Sequence, residues 1–210
     1  FGHAWMDRPR TRHGYCVDDM ARVLVVTTRE PDASGAENGL AGLAVRFLCE
    51  AQTFTGACRN RMDSTGKWLD QPTLDDCWGR CLWGLGTAVA HSDVSWVRNM
   101  ALVQFERAAQ ARSTYPRAMA FAVLGAAEVV SAHPDHTAAF KLLTDYAVAL
   151  PEPSDDLAWP WPEPRLAYAN AVFADAMIAA GVALEAPKLW QRGLELLAWL
   201  LAMETADGRL

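Results

Sequence analysis

Leu74-Asp75-Asp76-Cys77-Trp78-Gly79-Arg80-Cys81-Leu82-Trp83-Gly84-Leu85-Gly86-Thr87-Ala88-Val89-Ala90-His91 is the stretch that decides the fold. Beyond its opening acidic pair it is nearly free of charge. A helix that is apolar all round is buried all round. Two later segments, 116–132 and 167–184, have the same character, rich in Ala, Gly, Leu and Val. The segments 94–112 and 187–204 differ. They carry Arg98, Glu106, Arg107, Arg112, Lys188, Arg192 and Glu195, and so keep one wet face. Apolar periodicity predicts helices over 16–30, 37–52, 74–91, 94–112, 116–132, 135–149, 167–184 and 187–204. Buried helix, short turn, amphipathic helix and longer loop recur four times, which is the pattern of stacked αα-hairpins in an all-α domain.

Punctuation supports these breaks. Pro31-Asp32-Ala33-Ser34-Gly35 parts the first pair of helices, and Ser92-Asp93 parts the second and can cap the next helix. His133-Pro134-Asp135 parts the third, with Asp135 expected as N-cap. Pro187 falls at the first turn of the last helix. Gly79, Gly84, Gly86 and Gly125 sit inside buried helices, where they cost helix propensity. Close approach of two backbones would explain them.

The longer loops, 53–73, 150–166 and the arm 1–15, all precede an inner helix. They hold Trp5, Trp68, Trp159 and Trp161 with Asp63, Asp70, Asp155, Asp156 and Glu163. In a curved stack such loops gather at one end and form a concave surface of aromatics and carboxylates. Ala158-Trp159-Pro160-Trp161-Pro162-Glu163-Pro164 is stiffened by its prolines. It can present two indoles and a carboxylate to a sugar, or plug the core with its rings. Asp63-Ser64-Thr65-Gly66-Lys67-Trp68 reads as the turn of a short β-hairpin. His3 and His13 fall near the expected mouth.

Asp18-Asp19 and Asp75-Asp76 each open an inner helix, and an Arg follows Asp18 and Asp76 at four residues, Arg22 and Arg80. Helix starts favour aspartate, and Asp18 with Arg22 or Asp76 with Arg80 could be local i,i+4 ion pairs. Against that bland reading, the helices are buried and the pairs recur where a cleft would form.

Composition bounds the function classes. Of 210 residues, 51% are hydrophobic and 21% charged, so the chain can bury a sizeable core. A net charge of -6 argues against a nucleic-acid partner, which would need a basic face. Arg117, Glu128 and Asp175 interrupt the apolar runs before the roughly 20 residues of a membrane span. Cys16, Cys49, Cys58, Cys77 and Cys81 are odd in number and lack a Cys-x-x-Cys. They read as reduced thiols of a cytoplasmic protein. With no P-loop, Gly-x-Gly-x-x-Gly, nucleophile elbow or metal spacing, no cofactor and no metal are expected.

Three blocks carry a resemblance. Gly14-Tyr15-Cys16-Val17-Asp18-Asp19-Met20-Ala21-Arg22 resembles the G-Y-C-T-D-D-N-A-R opening of a bacterial family of helical domains found near, or fused to, glycosyltransferases of polysaccharide clusters. Asp75 to Gly86 resembles that family's E-D-S-x-G-R-A-L-W-A-L-G block. Trp161 to Ala171 resembles its W-F-E-x-x-L-T-Y-D-N-A block. The sequence departs at Met20 for Asn, Asp75 for Glu, Cys77 for Ser and Ala169 for Asp. The resemblance implies an (α/α)6 toroid similar to glycoside hydrolases, with Asp18, Asp19, Arg22, Asp76, Arg80, Glu163, Tyr168 and Asn170 in its cleft. Four hairpins are visible of the six implied. Asp207-Gly208 reads as a turn leading onward, so continuation beyond Leu210 is expected.

The function expected is that of a carbohydrate-active protein, glycoside-hydrolase-like, acting on an oligo- or polysaccharide. Glu163 or Asp76 would be the acid and Asp19 the base, with Trp159 and Trp161 stacking on sugar rings. The alternatives are a non-catalytic glycan-binding accessory domain serving a glycosyltransferase, and a sugar epimerase or lyase on the same fold.

Overall fold

The computed structural model describes residues 4–150 and 158–205. His3, Asp155, Asp156 and the terminal Asp207-Gly208 turn lie outside the described residues. Eight α-helices run through those described: α1 Val17–Arg29, α2 Gly35–Ala51, α3 Asp76–His91, α4 Ser95–Ala108, α5 Pro116–Ala132, α6 Thr137–Ala149, α7 Val172–Ala183 and α8 Pro187–Glu204. The strands are two-residue pieces. β1 Ala4–Trp5 pairs antiparallel with β2 Arg8–Pro9, and β3 Tyr15–Cys16 pairs antiparallel with β4 Arg61–Met62. The all-α expectation holds. No helix among the described residues is long and apolar enough to cross a membrane.

Each odd-numbered helix packs on the even-numbered helix after it, giving four hairpins. The odd helices also pack on one another in sequence, α1 on α3, α3 on α5 and α5 on α7, as an inner row. The even helices lie outside, and only α2 and α4 of them touch appreciably. The inner helices point the same way. Asp18 of α1 meets Arg80 of α3 at one end, and at the other Arg29 of α1 and His91 of α3 both reach Glu128 of α5. The core is aliphatic and aromatic, with Trp78, Leu82, Leu85, Phe105, Leu142, Leu143 and Phe173 among its buried side chains.

The inner-row glycines have a steric cause. A Cβ on Gly79 would stand 2.1 Å from the Ala118 carbonyl oxygen, one on Gly86 2.1 Å from that of Gly125, and one on Gly125 2.1 Å from that of Leu82. Helices α3 and α5 therefore touch backbone to backbone, closer than side chains would allow. The same close approach, milder, places Gly84 at 3.0 Å from the Ala21 carbonyl oxygen on α1.

Three helix ends differ from the sequence expectation. Helix α4 stops at Ala108, not 112. The Trp78 indole N–H donates to the Ala108 carbonyl at 3.2 Å, and Arg112 turns back to the carbonyls of Ala109 and Ala111 at 2.6 Å each. Those bonds serve acceptors that a longer helix would have used internally. The cap of α6 is His136, whose Nδ1 accepts from the Ala139 amide at 3.2 Å; Asp135 lies one residue too early. Helix α7 begins at Val172, not 167, because Ala169 takes a φ of 47° and breaks the helical path.

Candidate functional site

The site is built at the N-terminal ends of the inner helices. Gly14 fixes the first wall. Its φ is 64°, and a Cβ there would stand 2.0 Å from the Met62 carbonyl oxygen, so no other residue lets β3 lie against β4. That pairing aims α1 and its two aspartates at the mouth. Asp63 and Asp70, expected as cleft carboxylates, are used up in supporting it. Asp63 Oδ1 accepts from the Thr65 amide, the Thr65 hydroxyl and the Lys67 amide, closing the expected hairpin turn. Asp70 accepts from the amides of Asn60 and Arg61 at 2.6 and 3.0 Å.

The local ion pairs expected within each helix are not the ones formed. Asp19, not Asp18, pairs with Arg22. Asp18 instead faces Arg80 across the α1–α3 boundary, its Oδ1 at 3.8 Å from Arg80 Nε. Asp76 accepts from the Tyr168 hydroxyl at 2.6 Å, across to the loop before α7. Neither pair acts as a cap, since neither α1 nor α3 has a side-chain N-cap bond. In both cases a partner from a neighbouring helix or loop displaces the one four residues away.

Arg117, the polar residue at the mouth of an inner helix, was not among the expected site residues. It opens α5, and its side chain is only 5% exposed. Its guanidinium pairs with Glu163 and donates to the Tyr168 carbonyl. It also lies between two rings, 4.6 Å from the centre of Tyr168 and 4.8 Å from that of Phe173. A cation at a helix N-terminus opposes the helix dipole, so a carboxylate had to be near. That misfit was the available signal.

Asp75, Asp76, Tyr115, Arg117, Glu163 and Tyr168 surround a cleft of about 480 Å³, with Arg165 at its edge. Tyr115 and Tyr168 are its exposed aromatics, at 58% and 55%. The two loop tryptophans do not play that part. Trp161 is 4% exposed, stacked on Trp199 at 5.7 Å and edge-on to Phe173 at 5.5 Å. Its expected role in stacking on a sugar is corrected to that of a core plug. Trp159 is half-buried, edge-on to Trp199, and donates its N–H to the Glu163 carbonyl at 2.9 Å. It shapes the loop that carries Glu163. Asn170 also works on the loop: its Oδ1 accepts from the Ala167 amide and its Nδ2 donates to Glu204 of α8. His13 is half-buried in the 3-10 turn Thr11–His13.

The electrostatics separate the acids. Burial raises the Asp18 carboxyl above the usual carboxylate range; Arg80 opposes this and Asp76 adds to it. Burial would raise Asp19 as well, but hydrogen bonds from the Cys16 thiol at 3.0 Å and from Arg22 outweigh it, and Asp19 lies below its usual value. Burial and the bond to Asp76 push the Tyr168 phenol up to about 12, so it remains a donor near neutral pH. The five cysteines are free thiols. Burial pushes Cys16 to about 11 and Cys49 and Cys77 to about 12, which leaves them poor nucleophiles. Among the described residues no group of three or more His, Cys, Asp or Glu side chains could hold a metal ion.

No protein-family model matches this chain, and no curated protein matches it.

Proposed function

We propose that this chain is a carbohydrate-active domain of the α/α-toroid type, glycoside-hydrolase-like, acting on an oligo- or polysaccharide through carboxylate acid–base catalysis. The observation that carries the reading is the convergence at one cleft. Asp76 and Glu163 line it with Arg117, and Asp18, facing Arg80, lies close enough to Asp76 for their charges to act on each other; the side chains of Arg80 and Arg117 are 10% and 5% exposed. Glycosidic cleavage needs one carboxyl that gives a proton and one carboxylate that takes a proton or attacks. Asp19, held ionised and still 29% exposed at its side chain, suits the second role. Glu163 is committed to Arg117 and suits positioning. Exposed Tyr115 and Tyr168 offer the flat faces on which CH-rich sugar faces pack.

The toroid reading draws on the packing. It is supported by inner helices that pack in a continuous row while the outer helices, apart from α2 and α4, make little contact with one another. The three blocks that resemble polysaccharide-cluster domains point the same way. The accessory-domain alternative needs aromatic platforms more than carboxylates, and the burial of Trp161 weakens it. An epimerase or lyase would want a titrating His or Tyr. Among the described residues no histidine lines the cleft, and Tyr168 is held as a phenol.

The test is release of reducing ends from a panel of oligo- and polysaccharides, with Asp19→Asn and Asp76→Asn beside the native chain. Loss of turnover by at least about 100-fold, with melting temperature nearly unchanged, is the expected result. Glycan binding without turnover by the native chain would replace this reading with the accessory one. Variants that chiefly unfold would assign the acids to stability.

A further inference from the structure

We propose that Asp18 is the general acid of this cleft and that Arg80, seated on Phe121, is the residue that positions it. The proposal rests on the glycosidase reading above and refines it, replacing Glu163 or Asp76 in that role.

The four acids at the helix mouths are not equivalent. Asp19 has the Cys16 thiol and Arg22 as donors, Asp76 has the Tyr168 hydroxyl, and Glu163 has Arg117. Asp18 Oδ1 is closed to solvent and accepts no hydrogen bond. The nearest cationic atom is Arg80 Nε at 3.8 Å, beyond hydrogen-bond length, and that buried N–H has no acceptor either. A side chain nine-tenths buried, with a donor left unmatched, is costly unless something else holds it. Phe121 does so: the Arg80 guanidinium carbon lies 4.0 Å from the centre of its ring. Arg80 is thus kept near Asp18 but short of bonding to it.

An oxygen so enclosed is far costlier as an anion than as a neutral acid. The charges facing it are divided. Burial is the largest influence and raises the Asp18 carboxyl; Arg80 and Arg22 favour the anion, and Asp76 and Asp19 oppose it. About a quarter of the side chain, 27%, stays exposed, so the proton can be delivered. In the reaction the Asp18 O–H gives its proton to the glycosidic oxygen. The bond from the anomeric carbon to that oxygen breaks, its electron pair stays on the oxygen, and the leaving sugar departs as an alcohol. Water adds to the anomeric carbon and loses its proton to the Asp19 carboxylate. Asp18 is then an anion beside Arg80, which is near enough to stabilise it and too far to have claimed it beforehand. It regains a proton from solvent.

Two readouts on the full 210-residue chain decide this. The first is titration of the aspartate side-chain carboxyls by carbon-13 NMR, assigned with Asp18→Asn and Asp19→Asn. Asp18 is expected to titrate at higher pH than Asp19, and Phe121→Leu, which frees Arg80 to close on it, is expected to bring it down. Asp18 at or below Asp19 overturns the proposal. The second is a leaving-group comparison of Asp18→Asn. A general acid is worth about 100-fold or more where the leaving group is a sugar, and little where it is dinitrophenolate, which departs unprotonated. A large loss on oligosaccharides with a small loss on dinitrophenyl glycosides supports the assignment. Equal losses on both, or no loss on either, overturn it. If the native chain cleaves neither class, the glycosidase reading falls and the acid role falls with it, whatever the titration gives. A native chain that cleaves both, with Asp18→Asn behaving the same, sinks the acid assignment alone.

Discussion

At the scale of single residues, the contact between Arg117 and Glu163 governs the loop that faces the cleft. With 5% of one side chain and 25% of the other exposed, removal of one partner leaves a charge largely without compensation. Arg117→Met is expected to cost on the order of 3 kcal/mol in urea unfolding. Adding Glu163→Gln should recover roughly 1 kcal/mol or more of that, because the pair is coupled. Additive losses would show that the two side chains act independently. This pair was not legible in the sequence, since 46 residues separate its members. What could be read was the anomaly of an arginine at the start of a helix whose one other charged residue, Glu128, lies about three turns away. The aspartates were legible as site residues but not in their partners. Spacing along one helix offered Arg22 to Asp18 and Arg80 to Asp76. Only tertiary packing gives Arg80 of α3 to Asp18 and Tyr168, in the loop before α7, to Asp76.

At the scale of elements, the seam between α3 and α5 has a two-sided test. Gly125→Ala would place a methyl group 2.1 Å from the Leu82 carbonyl oxygen, an atom that cannot rotate away. The helices would have to separate, at an expected cost of about 1–3 kcal/mol, and more if Gly86 cannot follow. Gly39→Ala lies on an exposed turn of α2 with nothing within 4 Å, and is expected to stabilise by about 0.4–1 kcal/mol. Thermal or urea unfolding of both variants checks the signs; a harmless Gly125→Ala would mean that the seam yields. All eight described helices were legible, because long runs of Ala, Leu and Val without charge have few other solutions. The glycine seam was legible as well, since glycines in a buried helix need a reason. The late start of α7 was not. It depends on Ala169 adopting a left-handed conformation that alanine seldom takes, stabilised by Asn170 and by the Arg117 bond to the Tyr168 carbonyl.

At the scale of the whole molecule, α3 and α5 lie in the middle of the inner row and are covered on several sides, whereas α2 and α8 keep exposed faces. Opening α3 or α5 requires separating the rest of the row; opening α8 requires leaving α7 and the loop that carries Trp159, Trp161 and Asn170. Native-state hydrogen exchange should therefore find the slowest amides in α3 and α5 and faster exchange in α8. Equal protection throughout would indicate one cooperative unit with no hierarchy. The hairpin order was legible from the alternation of dry and wet segments. The arrangement of the row as a whole was not, because it depends on how the outer helices pack on one another, and no local pattern records that. The seam has one more consequence, in the dimensions of the cleft. A layer of side chains between two helices is compressible: it repacks on warming, on substitution and on grafting. Peptide planes resting on glycine are not. The span between the mouths of α3 and α5, where Asp76 and Arg117 stand, is therefore a fixed gauge. Loops around it can be exchanged to alter what enters, while the width that an occupant must bridge stays the same.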